Sequence, residues 1–122
     1  MLFRSAVKHT CAEMLDEVEH SYAATYYAAW ALDAEAPDAD LAASVAKSFV
    51  SESARKVCGD AIQVHGGIGF TWEFDLHFFF KRAKHYEALW GDADYHRERI
   101  FDLWTARRAA EQKELVAAGA AR

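Results

Sequence analysis

"DAIQVHGGIGFTWE", from Asp60 to Glu73, interrupts a chain that otherwise favours helix. Ala61, Ile62 and Val64 lead into it, and Phe70 and Trp72 lead out. Between them stand Gln63 and three glycines, Gly66, Gly67 and Gly69. A bare helix stop needs one glycine, at the left-handed position past the last turn. The other glycines point either to a wide connector or to close approach of backbone to a ligand. Exposed N–H groups in such a turn can face an anion such as a phosphate, and the Gln63 amide, one helical turn earlier, can join them. Gly67-Ile68-Gly69 lacks a third glycine and follows a helix rather than a strand, so a dinucleotide-fold reading fails on context.

Apolar spacing on both sides of this stretch is helical. Before it, Leu41, Val45, Phe49, Val57, Ala61 and Ile62 recur as one stripe of a helix from about Ala39 to Val64. The small residues Ala42, Ala43, Ser44, Ala46, Ser48 and Ala54 let a neighbour pack closely. Upstream, Pro37, the only proline, marks a turn with Asp38 as N-cap. Before that turn, a helix from about Ser5 to Asp33 carries Cys11, Leu15, Val18, Tyr22, Tyr26 and Trp30 on its stripe and spans roughly 40 Å.

After the glycines, a short helix from about Phe74 to Glu87 turns Leu76, Phe79, Phe80, Ala83 and Tyr86 inward. A last helix starts near Ala93, capped by Asp92, and carries Tyr95, Ile100, Leu103 and Trp104. The segment 105–122 is polar and alanine-rich and reads as a fraying helical end. The fold class is all-α, an antiparallel four-helix bundle in one domain over residues 1–122, packed over about 5–104.

Composition narrows the partners. The chain has 122 residues, enough for one core. A net charge of −5 argues against nucleic acid and against an anionic membrane surface. No apolar run is long enough for a membrane span. The N-terminus reads as neither signal nor transit peptide, and a reducing cytoplasm is the expected setting. Cys11 and Cys58 lack metal-ligand spacing and read as small buried hydrophobes. Glu17 and His20 give one Glu-x-x-His, where a di-iron bundle needs two such motifs, so no metal is expected. No nucleophile elbow is present.

The stretch "AIQVHGGIGFTWEFDLHFFFKRAK" resembles the signature near the C-terminus of acyl-CoA dehydrogenases, flavoproteins that desaturate acyl-CoA thioesters. "FRSAVKHTCAEM", "YYAAWALD" and "ADYHRERI" resemble that family's neighbouring helices, so the likeness covers about residues 3–104. It implies an FAD pyrophosphate bound by Gln63, Gly66 and Gly67 for a neighbouring subunit. It also implies an oxidation in which a glutamate removes the α-proton and the β-hydride goes to the flavin. The expected partners are a homo-oligomer or a complementary acyl-CoA dehydrogenase subunit, with acyl-CoA bound only in such a complex.

Three departures qualify this. The family's "Tyr-Glu-Gly-Thr" is Leu89-Trp90-Gly91-Asp92 here, and a tryptophan abstracts no proton. No catalytic residue is therefore expected, and Trp90 reads as core filling between the last two helices, with a wall of the acyl pocket as the alternative. Asp92 and Asp94 replace residues that touch FAD in the family and would repel a pyrophosphate. Arg4 stands for the glutamine of a "Phe-Gln" pair. The alternative expectation is a non-catalytic interaction bundle that has lost its flavin.

Overall fold

The computed structural model describes the backbone over residues 2–120 and side chains over residues 5–118. Four α-helices follow in order: α1 Leu2–Asp33, α2 Ala39–His65, α3 Leu76–Ala88 and α4 Ala93–Ala120. A 3-10 turn, Gly66–Phe70, joins α2 to the segment before α3. No strand occurs among the described residues. The expected antiparallel four-helix arrangement is the observed one, with α2 at its centre packing on α1, α3 and α4.

The α1–α2 hairpin closes on alanine. Ala28 and Ala31 of α1 meet Ala42 and Ala46 of α2, with Ala24, Ala36 and Ala39 at the margin. Small side chains let the two backbones approach closely. The hairpin turn places Glu35 at φ +49°. Asp38 does not cap α2 with its side chain, contrary to expectation; its carboxylate accepts from the Tyr27 hydroxyl at 2.8 Å. Asp92 does cap α4, accepting from the Tyr95 N–H at 2.9 Å.

Because the contacts are made by small residues, many large apolar side chains stay outside. Leu15, Tyr22, Tyr26 and Trp30, expected on the inner stripe of α1, are exposed. The inner face of α1 is instead Glu17, Ser21, Ala24, Ala28 and Ala31. On α3, Ala83 is buried and Leu76 and Phe80 are half-buried, but Phe79 and Tyr86 are exposed. Cys11 is exposed and Cys58 only half-buried, where both were expected inside. Trp104 is exposed, with the Arg108 guanidinium 5.0 Å from its ring. On α4, Ala93 and His96 are buried, yet from Ala106 to Ala118 every residue is exposed. No helix among the described residues is long and apolar enough to cross a membrane.

Candidate functional site

Gln63 lies in the last turn of α2 with its side chain exposed, and its backbone oxygen accepts from the Gly66 N–H. The three glycines that follow have three different causes. Gly66 sits at φ +66°, ψ −144°, not the left-handed helical position expected but still a region open in practice only to glycine. Gly69 folds back on α2, and a Cβ there would lie 2.6 Å from the Ile62 carbonyl oxygen and 3.1 Å from His65 Cβ. Gly67 has neither constraint: its φ is not positive, and a Cβ added there meets nothing within 4 Å. Two of the glycines are thus accounted for within the chain, and the third opens outward.

The turn is held by its own residues. The Thr71 hydroxyl and the Thr71 N–H both donate to the Ile68 carbonyl, at 2.9 and 3.1 Å. His65 Nδ1 donates to the Ala61 carbonyl at 2.7 Å, which leaves Nε2 as the acceptor of the neutral ring. The Phe74 ring lies 5.4 Å from it. Glu73 is held below the ordinary carboxylate value, chiefly by its own backbone N–H. Around the glycines stand exposed apolar side chains, Ile68, Phe70 and Trp72, with the Lys81 ammonium 4.5 Å above the Trp72 ring.

The turn between α3 and α4 carries the second expected feature, and here the structure differs. Trp90 is 81% exposed and does not fill the space between the helices. Its φ is +59°, rare for a bulky residue, and Gly91 follows at +97°. A Cβ at Gly91 would lie 2.4 Å from the Tyr95 ring, so the backbone must lead away and the indole is carried outward. The turn is pinned from several sides. Buried His96 donates from Nε2 to the Trp90 carbonyl at 3.0 Å. Lys47 Nζ donates to the Tyr86 and Glu87 carbonyls at 3.1 and 3.2 Å, a cation on the free carbonyls at the end of α3. Arg55 and Lys84 both hold the Glu87 carboxylate, at 2.9 and 2.8 Å. Lys84, then Arg55, keep Glu87 below the ordinary carboxylate range, with its partial burial acting in the other direction.

The acids singled out in the sequence have structural partners. Asp92 caps α4, and Asp94 pairs with Arg97 at 2.8 Å. Glu17 and His20 do not converge: Glu17 accepts from Ser53 and pairs with Lys56 at 3.4 Å, while His20 pairs with Asp16 on its own helix. The side chain of Arg4 lies outside the described residues. Sequence reading missed the clamp formed by Lys47, Arg55 and His96. These are single polar residues on helical faces, and nothing in the spacing of Lys47 and Arg55 marks them as neighbours of Glu87, forty and 32 residues away.

An all-α bundle whose central helix ends in an outward-opening glycine turn is the class defined by this fold and site. The acyl-CoA dehydrogenase C-terminal domain family matches residues 2–103, so the chain belongs to that family. Acyl-CoA dehydrogenase FadE34 of Mycobacterium tuberculosis is 44% identical over 79 residues, covering 64% of this chain and 11% of its own length. Acyl-CoA dehydrogenase IpdE2 of Mycolicibacterium smegmatis is 36% identical, covering 64% of this chain and 23% of its own length. The probable acyl-CoA dehydrogenase YngJ of Bacillus subtilis is 34% identical over 92 residues, covering 75% and 24%. The chain therefore spans about a quarter or less of these relatives.

Proposed function

We propose that this chain is the C-terminal part of an acyl-CoA dehydrogenase-type flavin site. In this reading it presents Gln63, Gly66 and Gly67 to an FAD pyrophosphate bound mainly by another subunit. The observation that carries the reading is Gly67. Gly66 answers to its own backbone angle and Gly69 to the Ile62 carbonyl, but Gly67 has no neighbour in its own chain that requires it to be glycine. Close approach of something from outside is the remaining physical reason for omitting its side chain. The exposed Gln63 amide beside it suits an anionic oxygen.

When bound, FAD supplies acceptance of two electrons. This chain's part is to hold and orient the diphosphate. It contributes no base at the α3–α4 turn, because Trp90 stands there and the Asp92 carboxylate is engaged as a cap. Acyl-CoA α,β-desaturation then needs a base and the remaining flavin contacts from outside these 122 residues. The test is purification of the chain alone and with a full-length acyl-CoA dehydrogenase, followed by absorbance in the flavin band. Retained flavin in the mixed complex, lost in Gly67→Val, is the expected result. No complex and no flavin in either case sinks the reading.

A second reading is favoured by Trp90 and by the structural use of Asp92 and Asp94: a non-catalytic interaction bundle that keeps the fold without the flavin. It predicts an oligomer whose melting temperature does not respond to FAD. A rise that grows with FAD concentration, as mass action requires, would count against it.

A further inference from the structure

Trp72 is held from one side and open on the other. Its ring is 77% exposed, yet the His77 ring meets it at 4.7 Å and the Lys81 ammonium lies 4.5 Å above it. His77 and Lys81 stand one turn apart on α3, so both approach the indole from the helix side. The opposite face is left to solvent. Lys81 belongs to an outward stripe of α3. Phe78, Lys81, Arg82 and His85 occupy the i, i+3, i+4 and i+7 positions of one helical face, and all four are exposed. The Arg82 guanidinium lies 5.5 Å from the Tyr86 ring. Neither cation is in an ion pair among the described residues, although the chain as a whole carries a net charge of −5. The acids nearest in the chain are Glu73 and Asp75. Glu73 is engaged by its own backbone N–H, and neither acid pairs with Lys81 or Arg82. A stripe with two unpaired cations makes a poor seam for another helix. It suits an anion, and the open indole beside it suits a flat ring.

We propose that the open face of Trp72, with Lys81 beside it, seats an adenosine diphosphate group. The adenine stacks on the indole, a contact that uses the face of the base and no hydrogen-bond pattern. Lys81 donates to the phosphates, and Arg82 on the same stripe adds a second positive charge. Adenosine diphosphate is the group that FAD and coenzyme A have in common, and coenzyme A carries a 3′-phosphate besides. The seat lies on α3 and the segment before it, and its chemistry does not require the Gly67 turn to hold a flavin. It is therefore tested apart from the flavin reading, on the chain alone.

The four tryptophans give four indole N–H resonances in an isotope-labelled chain, assigned by single Trp→Phe variants. Added ADP should move the Trp72 resonance along a saturating curve and leave those of Trp30, Trp90 and Trp104 in place. Adenosine alone should bind about tenfold more weakly, the share of one charge-assisted hydrogen bond. Lys81→Ala should weaken ADP by about the same factor and leave adenosine unchanged, and Lys81→Arg should restore ADP. Trp72→Ala, followed by equilibrium dialysis, should lose ADP and adenosine alike while helical circular dichroism is unchanged. Parallel titrations with FAD and with coenzyme A separate the sources. Tighter binding of coenzyme A assigns the seat to the substrate's nucleotide, and tighter binding of FAD assigns it to the flavin's. Movement of no indole resonance overturns the proposal. So does equal movement of all four, or ADP binding that Lys81→Ala leaves undiminished. Loss of flavin retention at the Gly67 turn bears on that turn alone.

Discussion

Gly67 and Gly69 stand two residues apart, yet a substitution meets different physics at each. Gly69→Ala forces a methyl to within 2.6 Å of a backbone carbonyl, where the helix end cannot yield cheaply. The expected cost is about 1–3 kcal/mol, the usual price of overpacking, read as a lower urea midpoint. Gly67→Ala meets open space, so stability should hold or rise by up to about 1 kcal/mol through a stiffer unfolded chain. If the flavin reading is right, Gly67→Ala nevertheless reduces flavin retention in the mixed complex, whereas a plain connector loses nothing. Trp90 offers the converse case. A bulky residue at φ +59° costs about 1 kcal/mol, and an 81% exposed ring returns little packing. Trp90→Gly should therefore raise the melting temperature by roughly 3 °C, measured by circular dichroism.

At the scale of the elements, two carboxylates tie helices together. Glu17 of α1 accepts from Ser53 of α2 and pairs with Lys56, while Glu87 of α3 is held by Lys84 and by Arg55 of α2. Ser53 first, then Lys56, lower Glu17 below its ordinary value near 4.5, against the opposing effect of burial. Glu87 is lowered likewise by Lys84 and Arg55. A depressed folded-state pKa means that protons bind the unfolded chain more readily. The stabilisation is therefore complete above about pH 4.5 and is lost as the pH falls through the lower folded-state values. Thermal melts of the native chain should drop between pH 5 and pH 3, and Glu17→Gln/Glu87→Gln should show a shallower fall from a lower plateau. A double variant whose melting temperature falls as steeply as the native one would assign the acid sensitivity elsewhere.

The same elements show where sequence reading succeeded and where it stopped. The four helices were legible because apolar spacing and the Pro37 and Gly66 breaks act locally. The inner face of α1 was not, because its tyrosines and tryptophan looked like core. Alanines carry the contact with α2 instead, since they alone allow the close approach seen at Ala31 and Ala42. At the candidate site, Gln63 and the glycines were legible as a cluster. Which glycine answers to geometry and which opens outward was not, because that depends on how far the 3-10 turn folds back on Ile62.

For the whole molecule, exposure is the dominant fact. All four tryptophans are exposed, so none of them serves an internal core. The free end of α4, with every residue from Ala106 to Ala118 exposed, adds no tertiary burial. Deleting residues 106–122 should leave the unfolding free energy from urea melts within about 0.5 kcal/mol of the full chain, as for surface changes away from packed features.

The sequence alone determined that this chain is helical, where its helices break, and which family it resembles, because periodicity, turn residues and motif spacing are properties of neighbours along the chain. Only the tertiary structure decided which faces are covered. It set alanine and serine between α1 and α2, turned the large side chains outward, put Trp90 on a strained and exposed turn, and left Gly67 open beside Gln63. The reason is that burial depends on how closely two helices approach, which no single helix encodes.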